Sequence, residues 1–193
     1  MLSPKAKAAL PAYHHPERHW KKKWSGVWYL LAYDVPEADR RYRHVLRTFL
    51  KKMRMGCLQK STWVSARDIR PEFADLMEAA SVGSFAHLFE ARSVLGRDTR
   101  DIVTNAWDFD RIGKLQSRYC KVYEKNLQAL QSQAPDAEHL LNLARQEMQA
   151  YRWSMERDPL LPASLWPEYY KGPRVWELHK ALTREIAQRL RRV

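Results

Sequence analysis

The chain has 193 residues, of which 45% are hydrophobic, and it carries 34 Lys and Arg against 22 Asp and Glu, a formal net charge of +12. This length and hydrophobic content suffice for one medium domain or two small ones with a buried core. The longest apolar run, Val27–Tyr33, is much shorter than the roughly 20 residues of a membrane-spanning helix, and two cysteines exclude a disulfide framework. We therefore expect a cytoplasmic protein with no membrane partner.

The positive charge is concentrated at the start of the chain. Residues 1–67 contain 15 Lys and Arg and 4 Asp and Glu, whereas residues 68–193 contain 19 and 18. A strong local excess of cations is typical of a surface that binds a polyanion. DNA is therefore the predicted partner of the first third of the chain.

Residues 1–23 are predicted to form an irregular basic arm, with a short helix at Ser3–Leu10 that Pro11 ends. The histidines of the arm do not have the spacing of a metal site. Three lysines flanked by Trp20 and Trp24 end the arm, and such cations suit contacts with phosphates that do not depend on base sequence. These predicted DNA-binding residues are Lys21, Lys22 and Lys23.

A central strand is predicted at Val27–Tyr33, because a continuous apolar run suits burial on both faces of a sheet. The helix predicted at Pro36–Arg54 begins with a proline and has its apolar residues at a spacing of three and four. The opposite face of this helix has no acid after Asp39 to balance its cations. We interpret this face as a second phosphate-binding surface, with a simple solvated face as the alternative. Its cations are Arg40, Arg41, Arg43, Arg47, Lys51, Lys52 and Arg54.

Asp34, at the end of the predicted strand, has two interpretations. As a catalytic residue it would hold Mg²⁺ for phosphodiester hydrolysis, but one carboxylate per chain is too few unless a symmetric dimer brings two together. Alternatively, Asp34 accepts N–H bonds from the first turn of the following helix. The sequence has no nucleophile–base set and no glycine-rich phosphate loop. We therefore expect a protein that is not an enzyme and needs no cofactor, with a Mg²⁺-dependent nuclease as the alternative.

The segment after the basic helix completes a ferredoxin-like pattern. Gly56 is predicted to end the helix, and two short strands follow at Cys57–Gln59 and Thr62–Ser65. A second amphipathic helix at Asp68–Ala80 and a last strand at Phe85–Arg92 give the order βαββαβ. This is the order of a four-stranded antiparallel sheet with two helices on one face, and we assign it to a domain at residues 24–95.

Residues 96–193 have a helical pattern, so the predicted fold class is α+β. In the helix predicted at Ala137–Met155, the buried stripe is expected to include Leu141 and Met148. The Pro-rich, apolar segment Asp158–Tyr170 should be an ordered, packed loop. The other predicted helices are Thr99–Trp107, Ile112–Leu130 and Val175–Leu190.

Three ordered motifs stand at Asp34–Val35–Pro36–Glu37, Ala106–Tyr119 and Asp158–Tyr170. Through them, residues 24–190 resemble the PaaX family of bacterial transcription regulators, and the last two motifs look like the C-terminal helical region of that family. The resemblance implies that these regions mediate dimerisation and ligand response, with an aromatic acyl-CoA as the effector of the family's best-known members. We also expect a homodimer because an exposed sheet edge or face on so small a domain usually finds a partner. The residues that match the pattern of the central domain are Asp34–Val35–Pro36–Glu37, Arg40, Arg41, Gly56, Leu58, Gln59, Ser61 and Trp63.

PaaX-like regulators normally begin with a winged helix–turn–helix domain, which supplies the usual recognition helix. The segment before Trp24 is too short to hold one. We therefore expect either a natural short form or a truncated version, in which basic surfaces contact the DNA.

The first predicted strand ends in Tyr33–Asp34, and Gln59 and Ser61 form a Gln-Ser element further along the chain. These residues carry a second resemblance, over about residues 26–92, to the small CRISPR adaptation subunit that binds the integrase, whose second strand has such an element. The PaaX central domain is similar to this subunit in fold. The alternative function is therefore a dimer that bridges integrase dimers and holds DNA on its basic surface. In that family Asp34 would match the acid thought to hold a metal in nuclease-competent members.

Overall fold

A computed structural model describes residues 12–80, 84–93, 96–132 and 135–192. The helix predicted at Ser3–Leu10 lies outside the described residues. By their internal contacts the residues form two compact units. The sheet unit comprises Glu17–Asp108 and Pro159–Pro167, and the helical unit comprises the described residues of Met1–Pro16, Phe109–Asp158 and Glu168–Val193. No described helix is both long enough and apolar enough to cross a membrane.

The sheet unit has a four-stranded antiparallel sheet in the order β2-β3-β1-β4. The βαββαβ order and the predicted α+β class are confirmed. Strand β1 is central because its run of apolar side chains can be covered on both faces, and Leu31 has no exposed surface. The elements are α1 (Glu17–Trp20), β1 (Trp28–Tyr33), α2 (Arg40–Lys52), β2 (Gly56–Gln59), β3 (Thr62–Ser65), α3 (Arg70–Ala80), β4 (Ala86–Ala91) and α4 (Thr99–Ala106).

Helices α2 and α3 pack their apolar sides against one face of the sheet. The predicted helix at Pro36–Arg54 is divided, because Glu37–Asp39 form a 3₁₀ turn before α2 begins at Arg40. The 3-4 spacing of α2 places Leu46, Phe49 and Leu50 inward. The core of the sheet unit contains Tyr29, Leu31, Val35, Leu46, Phe49, Leu50, Met53, Met55, Ile69, Phe73 and Ala86.

Arg54, not Gly56, adopts the left-handed conformation that ends α2, which corrects the role predicted for the glycine. Arg54 has φ +55°, and its N–H donates to the carbonyl of Lys51 at 3.1 Å, while the N–H of Met55 donates to Leu50 at 3.0 Å. This pair of bonds is a Schellman motif, whose left-handed position favours glycine. Gly56 is the first residue of β2 instead, and its Cα lies against Ala106 and Trp107 of the α4 region.

The predicted arm is folded in its described part. Residues 12–23 contain a 3₁₀ turn at Ala12–His14 and one helical turn, α1. Trp20, only 6% exposed, packs edge-to-face on Trp166 with ring centroids 5.8 Å apart. The part of the arm in the sheet unit is therefore attached by an aromatic contact.

The helical unit is formed by three long helices, α5 (Phe109–Ser132), α6 (Ala137–Met155) and α7 (Gly172–Leu190). Asp136 caps α6 by accepting a hydrogen bond from the N–H of His139 at 2.7 Å. The loop Asp158–Tyr170 is ordered as predicted, and Asp158, 1% exposed, accepts hydrogen bonds from Gln116 and Tyr170. These two bonds satisfy a charge that would otherwise be costly to bury.

The buried stripe of α6 differs from the predicted one. Leu141 and Met148 are 45% and 46% exposed, and Glu147 is buried in their place. The reason is that Glu147 has partners on both neighbouring helices, Tyr119 of α5 and His179 of α7. A carboxylate with two hydrogen-bond partners can occupy a core position from which an isolated charge is excluded.

A candidate nucleic-acid interface

The first half of the predicted basic face of α2 is already bound to an acid. Arg40 donates to Glu37 at 2.6 Å and Arg43 donates to the same carboxylate at 3.0 Å. Arg43 also donates to the carbonyl of Val35 at 2.8 Å. The hydrogen bond from Arg40, followed by that from Arg43, holds the pKa of Glu37 below its usual value. These two arginines therefore fasten the β1–α2 connection.

The second half of the same face has exposed cations. Arg41 donates to the hydroxyl of Tyr42 and lies 4.7 Å from the centre of its ring. Arg47, Lys51 and Lys52 are exposed, and within the described residues their side chains have no hydrogen-bond or ion-pair partner. The two lysines also lie at the C-terminal end of α2, where the helix dipole favours cations. We call Arg47, Lys51 and Lys52 the α2 patch.

The lysine segment consists of Lys21, Lys22 and Lys23. All three side chains are exposed, and the segment lies between two anchored tryptophans. On one side is Trp20, packed on Trp166. On the other, Trp24 donates its Nε1–H to the carbonyl of Val27 at 3.0 Å and its ring lies 4.9 Å from that of Trp28. The lysine segment is thus presented from a fixed position on the sheet unit.

His19 shows that the lysine segment and the end of α2 share one electrostatic environment. Burial, and then repulsion by Lys22, Arg67, Arg54 and Arg18 in that order, lowers the pKa of His19 to about 4. We call these five residues the His19 cluster. Arg18, His19 and Arg67 are not among the residues predicted from the sequence, because the charges that act on His19 come from three separate chain segments.

The structure does not give Asp34 the helix-start role that was one of its two interpretations. Asp34 is exposed, and its backbone N–H donates to Phe85 at 2.8 Å. The residues at the cap positions of the 3₁₀ turn and of α2 are Pro36 and Asp39, and neither makes a side-chain cap bond. In the described ranges no three His, Cys, Asp or Glu side chains are grouped as a metal site would require. A metal site at Asp34 stays a prediction that needs a second copy of the chain.

The helical unit contains a second candidate site that sequence reasoning did not find. Glu147 accepts a hydrogen bond from Tyr119 and lies 2.8 Å from Nδ1 of His179, whose ring stacks on Tyr151 at 3.8 Å. Burial, and then the charge of Glu147, raises the pKa of Tyr119 far above its usual value. His179 also lines an open groove of about 510 Å³, together with Trp176, Lys180, Thr183, Arg184 and Arg191. The signal in the sequence, a helical spacing of Trp176, His179 and Lys180, is too common to identify such a groove.

The protein is an α+β protein of two units. One has a ferredoxin-like sheet and carries the basic surface, and the other is formed by long helices. The model of the PaaX protein central Cas2-like domain matches residues 21–103, and the model of the PaaX-like protein C-terminal domain matches residues 107–193. The chain therefore belongs to the PaaX-like proteins, as the resemblance predicted.

Among solved structures, the chain is similar to the uncharacterized protein Rv0674 from Mycobacterium tuberculosis, with 21% sequence identity and a TM-score of 0.58. The similarity covers 98% of this chain and 72% of that one, and it shows the fold alone. No curated protein matches the sequence.

Proposed function

We propose that this protein is a non-enzymatic regulator of the PaaX-like type that binds duplex DNA through the α2 patch and the lysine segment. The observation that carries the proposal is a PaaX-like chain in which these six exposed cations have no acidic partner among the described residues. Such cations retain their full attraction for phosphates, whereas Arg40 and Arg43 are already paired with Glu37.

The proposed contacts are to the DNA backbone, because lysines and exposed arginines bind phosphates without reading bases. Each phosphate that a cation neutralises releases condensed counterions, so the affinity must fall as salt rises. If all six cations contact phosphates, the slope of log K against log salt would be about −5. Weak dependence on base sequence and strong dependence on salt are the expected signature.

The proposal is tested by fluorescence anisotropy with a short labelled duplex over a series of salt concentrations. The variant replaces all three lysines, Lys21, Lys22 and Lys23, by Gln. It should bind more weakly and have a shallower salt slope, by about 2 to 3. The matched control replaces three exposed lysines of α5, Lys114, Lys121 and Lys125, by Gln, and so changes the net charge equally.

The control should keep the wild-type slope. If the affinity of the wild-type protein for duplex DNA does not change between low and moderate salt, the proposed function is wrong. Equal losses in the variant and the control would show instead that net charge, and not this surface, attracts DNA.

Three further expectations stay predictions. A homodimer is consistent with the positions of β2 and β4 at the edges of the sheet, because an edge strand can pair with another chain. An aromatic acyl-CoA effector would find cations and an aromatic ring in the groove at Trp176 and His179. Bridging of CRISPR integrase dimers, the alternative function, is supported here by the Cas2-like central domain alone, and a pull-down with the integrase would test it.

A further inference from the structure

Helix α6 has an apolar row that the fold leaves open to solvent. Leu141 and Met148, two turns apart, are 45% and 46% exposed. Together with the partly buried Ala137 and Ala144 they follow the spacing 4-3-4, which places all four side chains on one side of the helix. A row of this kind is a surface that another helix can cover. We call these four residues the α6 seam.

A row of charged residues follows one edge of the α6 seam. Glu138, Arg145 and Arg152 are exposed and lie seven residues apart, so all three are at the same edge. Glu138 has no hydrogen-bond or ion-pair partner among the described residues. Arg152 lies 3.4 Å from Glu156 of its own helix, an exposed pair of the kind that contributes little and exchanges easily. The edge therefore has an acid near the start of α6 and a cation near its end.

The apolar row and the charged edge are symmetric about the same point of the helix. The midpoint between Leu141 and Met148 lies half a residue before Arg145, and the midpoint between Glu138 and Arg152 lies at Arg145 itself. These two centres are less than about 1 Å apart along the helix axis. A surface with this symmetry complements itself, because a two-fold axis brings residue i of one copy to residue j of the other and j to i.

We propose that the α6 seam is the interface with a second copy of this chain, in which two α6 helices pack antiparallel about a two-fold axis beside Ala144. Leu141 of each copy then contacts Met148 of the partner subunit, and Glu138 pairs with Arg152 of the partner subunit. The small side chain of Ala144 lets the two helix axes approach closely. A second copy is the occupant that fits, because an unrelated partner would require no such symmetry. The inference names an interface for the expected homodimer other than the sheet edges, and it does not depend on DNA binding.

Arg145 is the one charge on this edge that the proposed pairing does not satisfy. It lies beside the two-fold axis, where it would face its own copy, and like charges repel one another. Its guanidinium donates to Oδ1 of Asn142 in the same helix at 3.3 Å, a bond that leaves the positive charge in place. Removal of this charge should therefore strengthen the dimer, a result that an interface elsewhere on the chain would not give.

The first experiment measures the dimer dissociation constant of the whole chain by sedimentation equilibrium. Leu141→Glu places an unpaired carboxylate in the seam of each copy and should raise this constant at least about a hundredfold. The matched control is Trp153→Glu, which changes a side chain of α6 that is 60% exposed. Trp153 follows Met148 by five residues and so lies on another side of the helix. The control should keep the wild-type constant, and both variants should keep the wild-type far-ultraviolet circular dichroism, because both side chains are exposed.

The second experiment tests the antiparallel arrangement by exchanging charges. Glu138→Arg and Arg152→Glu each replace two attractive pairs with two repulsive ones, and each should raise the dissociation constant about tenfold. The double variant restores attraction with the signs reversed and should return to within about threefold of the wild type. Arg145→Gln should lower the constant about threefold.

The outcomes separate the α6 seam from other interfaces. If the wild-type protein is a dimer and Leu141→Glu dimerises as tightly as Trp153→Glu, the seam is refuted and the dimer forms elsewhere. A double variant no tighter than Glu138→Arg or Arg152→Glu alone contradicts the antiparallel arrangement. If the wild-type protein is a monomer at every concentration tested, the inference and the expected homodimer both fail. The proposed binding of DNA stands in that case, because the salt slope tests it separately.

Discussion

Replacing Gly56 by Ala should destabilise the sheet unit strongly. An added Cβ would lie 2.6 Å from Cβ of Ala106 and 2.7 Å from two ring atoms of Trp107. Neither neighbour can easily move. The Cβ of Ala106 is fixed to the backbone of α4, and the ring of Trp107 is held by its hydrogen bond to Arg54. The clash can therefore be relieved only by moving α4 away from β2.

The size of the effect follows from these contacts. Overpacking of a filled core costs about 1–3 kcal/mol, and loss of the bond between Trp107 and Arg54 adds about 1 kcal/mol. We expect the free energy of unfolding to fall by about 2–4 kcal/mol. Urea unfolding followed by tryptophan fluorescence measures this change.

Gly113→Ala is the matched control, with the opposite expected sign. Gly113 lies inside α5, where an added Cβ would make an ordinary contact with Tyr169 at 3.5 Å. Alanine in a helix interior should stabilise the protein by about 0.5–1 kcal/mol. If Gly56→Ala unfolds within about 0.5 kcal/mol of the wild type, our account of the close packing between β2 and α4 is wrong.

Two further changes test the buried and partly buried titratable groups. Tyr119→Phe removes a hydrogen bond from the buried Glu147 and should lower the free energy of unfolding by about 1–3 kcal/mol. The control, Tyr123→Phe, should lower it clearly less, because the structure gives the Tyr123 hydroxyl no hydrogen bond. Equal effects of the two changes would mean that the bond to Glu147 adds no stability. Since the pKa of His19 is about 4 in the folded protein and 6.5 ordinarily, the unfolded chain binds more protons between these values, so stability should fall as pH is lowered through this range. His19→Gln should flatten that part of a plot of unfolding free energy against pH, and an unchanged plot would refute the shift.

Local signals predicted the elements of this fold well. The α6 helix has the bounds predicted from its sequence, because an N-cap aspartate and a proline mark its start. Strand β3 also has its predicted bounds, and β1 begins one residue later than predicted. The apolar run and the 3-4 spacing are properties of adjacent residues, so a sequence shows them directly.

Contacts between distant segments were the part that the sequence did not show. The sequence shows no acid after Asp39 to balance the cations of the basic face, yet Glu37, which lies before that stretch, pairs with two arginines of the face. The buried position of Glu147 depends on Tyr119 and His179, 28 and 32 residues away. The His19 cluster likewise joins three segments. In each case the side chain was visible in the sequence, and its partner was fixed only by tertiary packing.

The two anchored tryptophans beside the lysine segment have a consequence for how quickly DNA could be captured. A disordered basic tail loses conformational freedom when it binds, and its folding on the DNA appears as a large change in heat capacity. Here Trp20 packs on Trp166 and Trp24 packs on Trp28. The lysine segment therefore becomes ordered when the protein folds and not when it binds DNA. Association should then resemble the docking of two rigid bodies, with a small heat-capacity change and a rate set by electrostatic attraction.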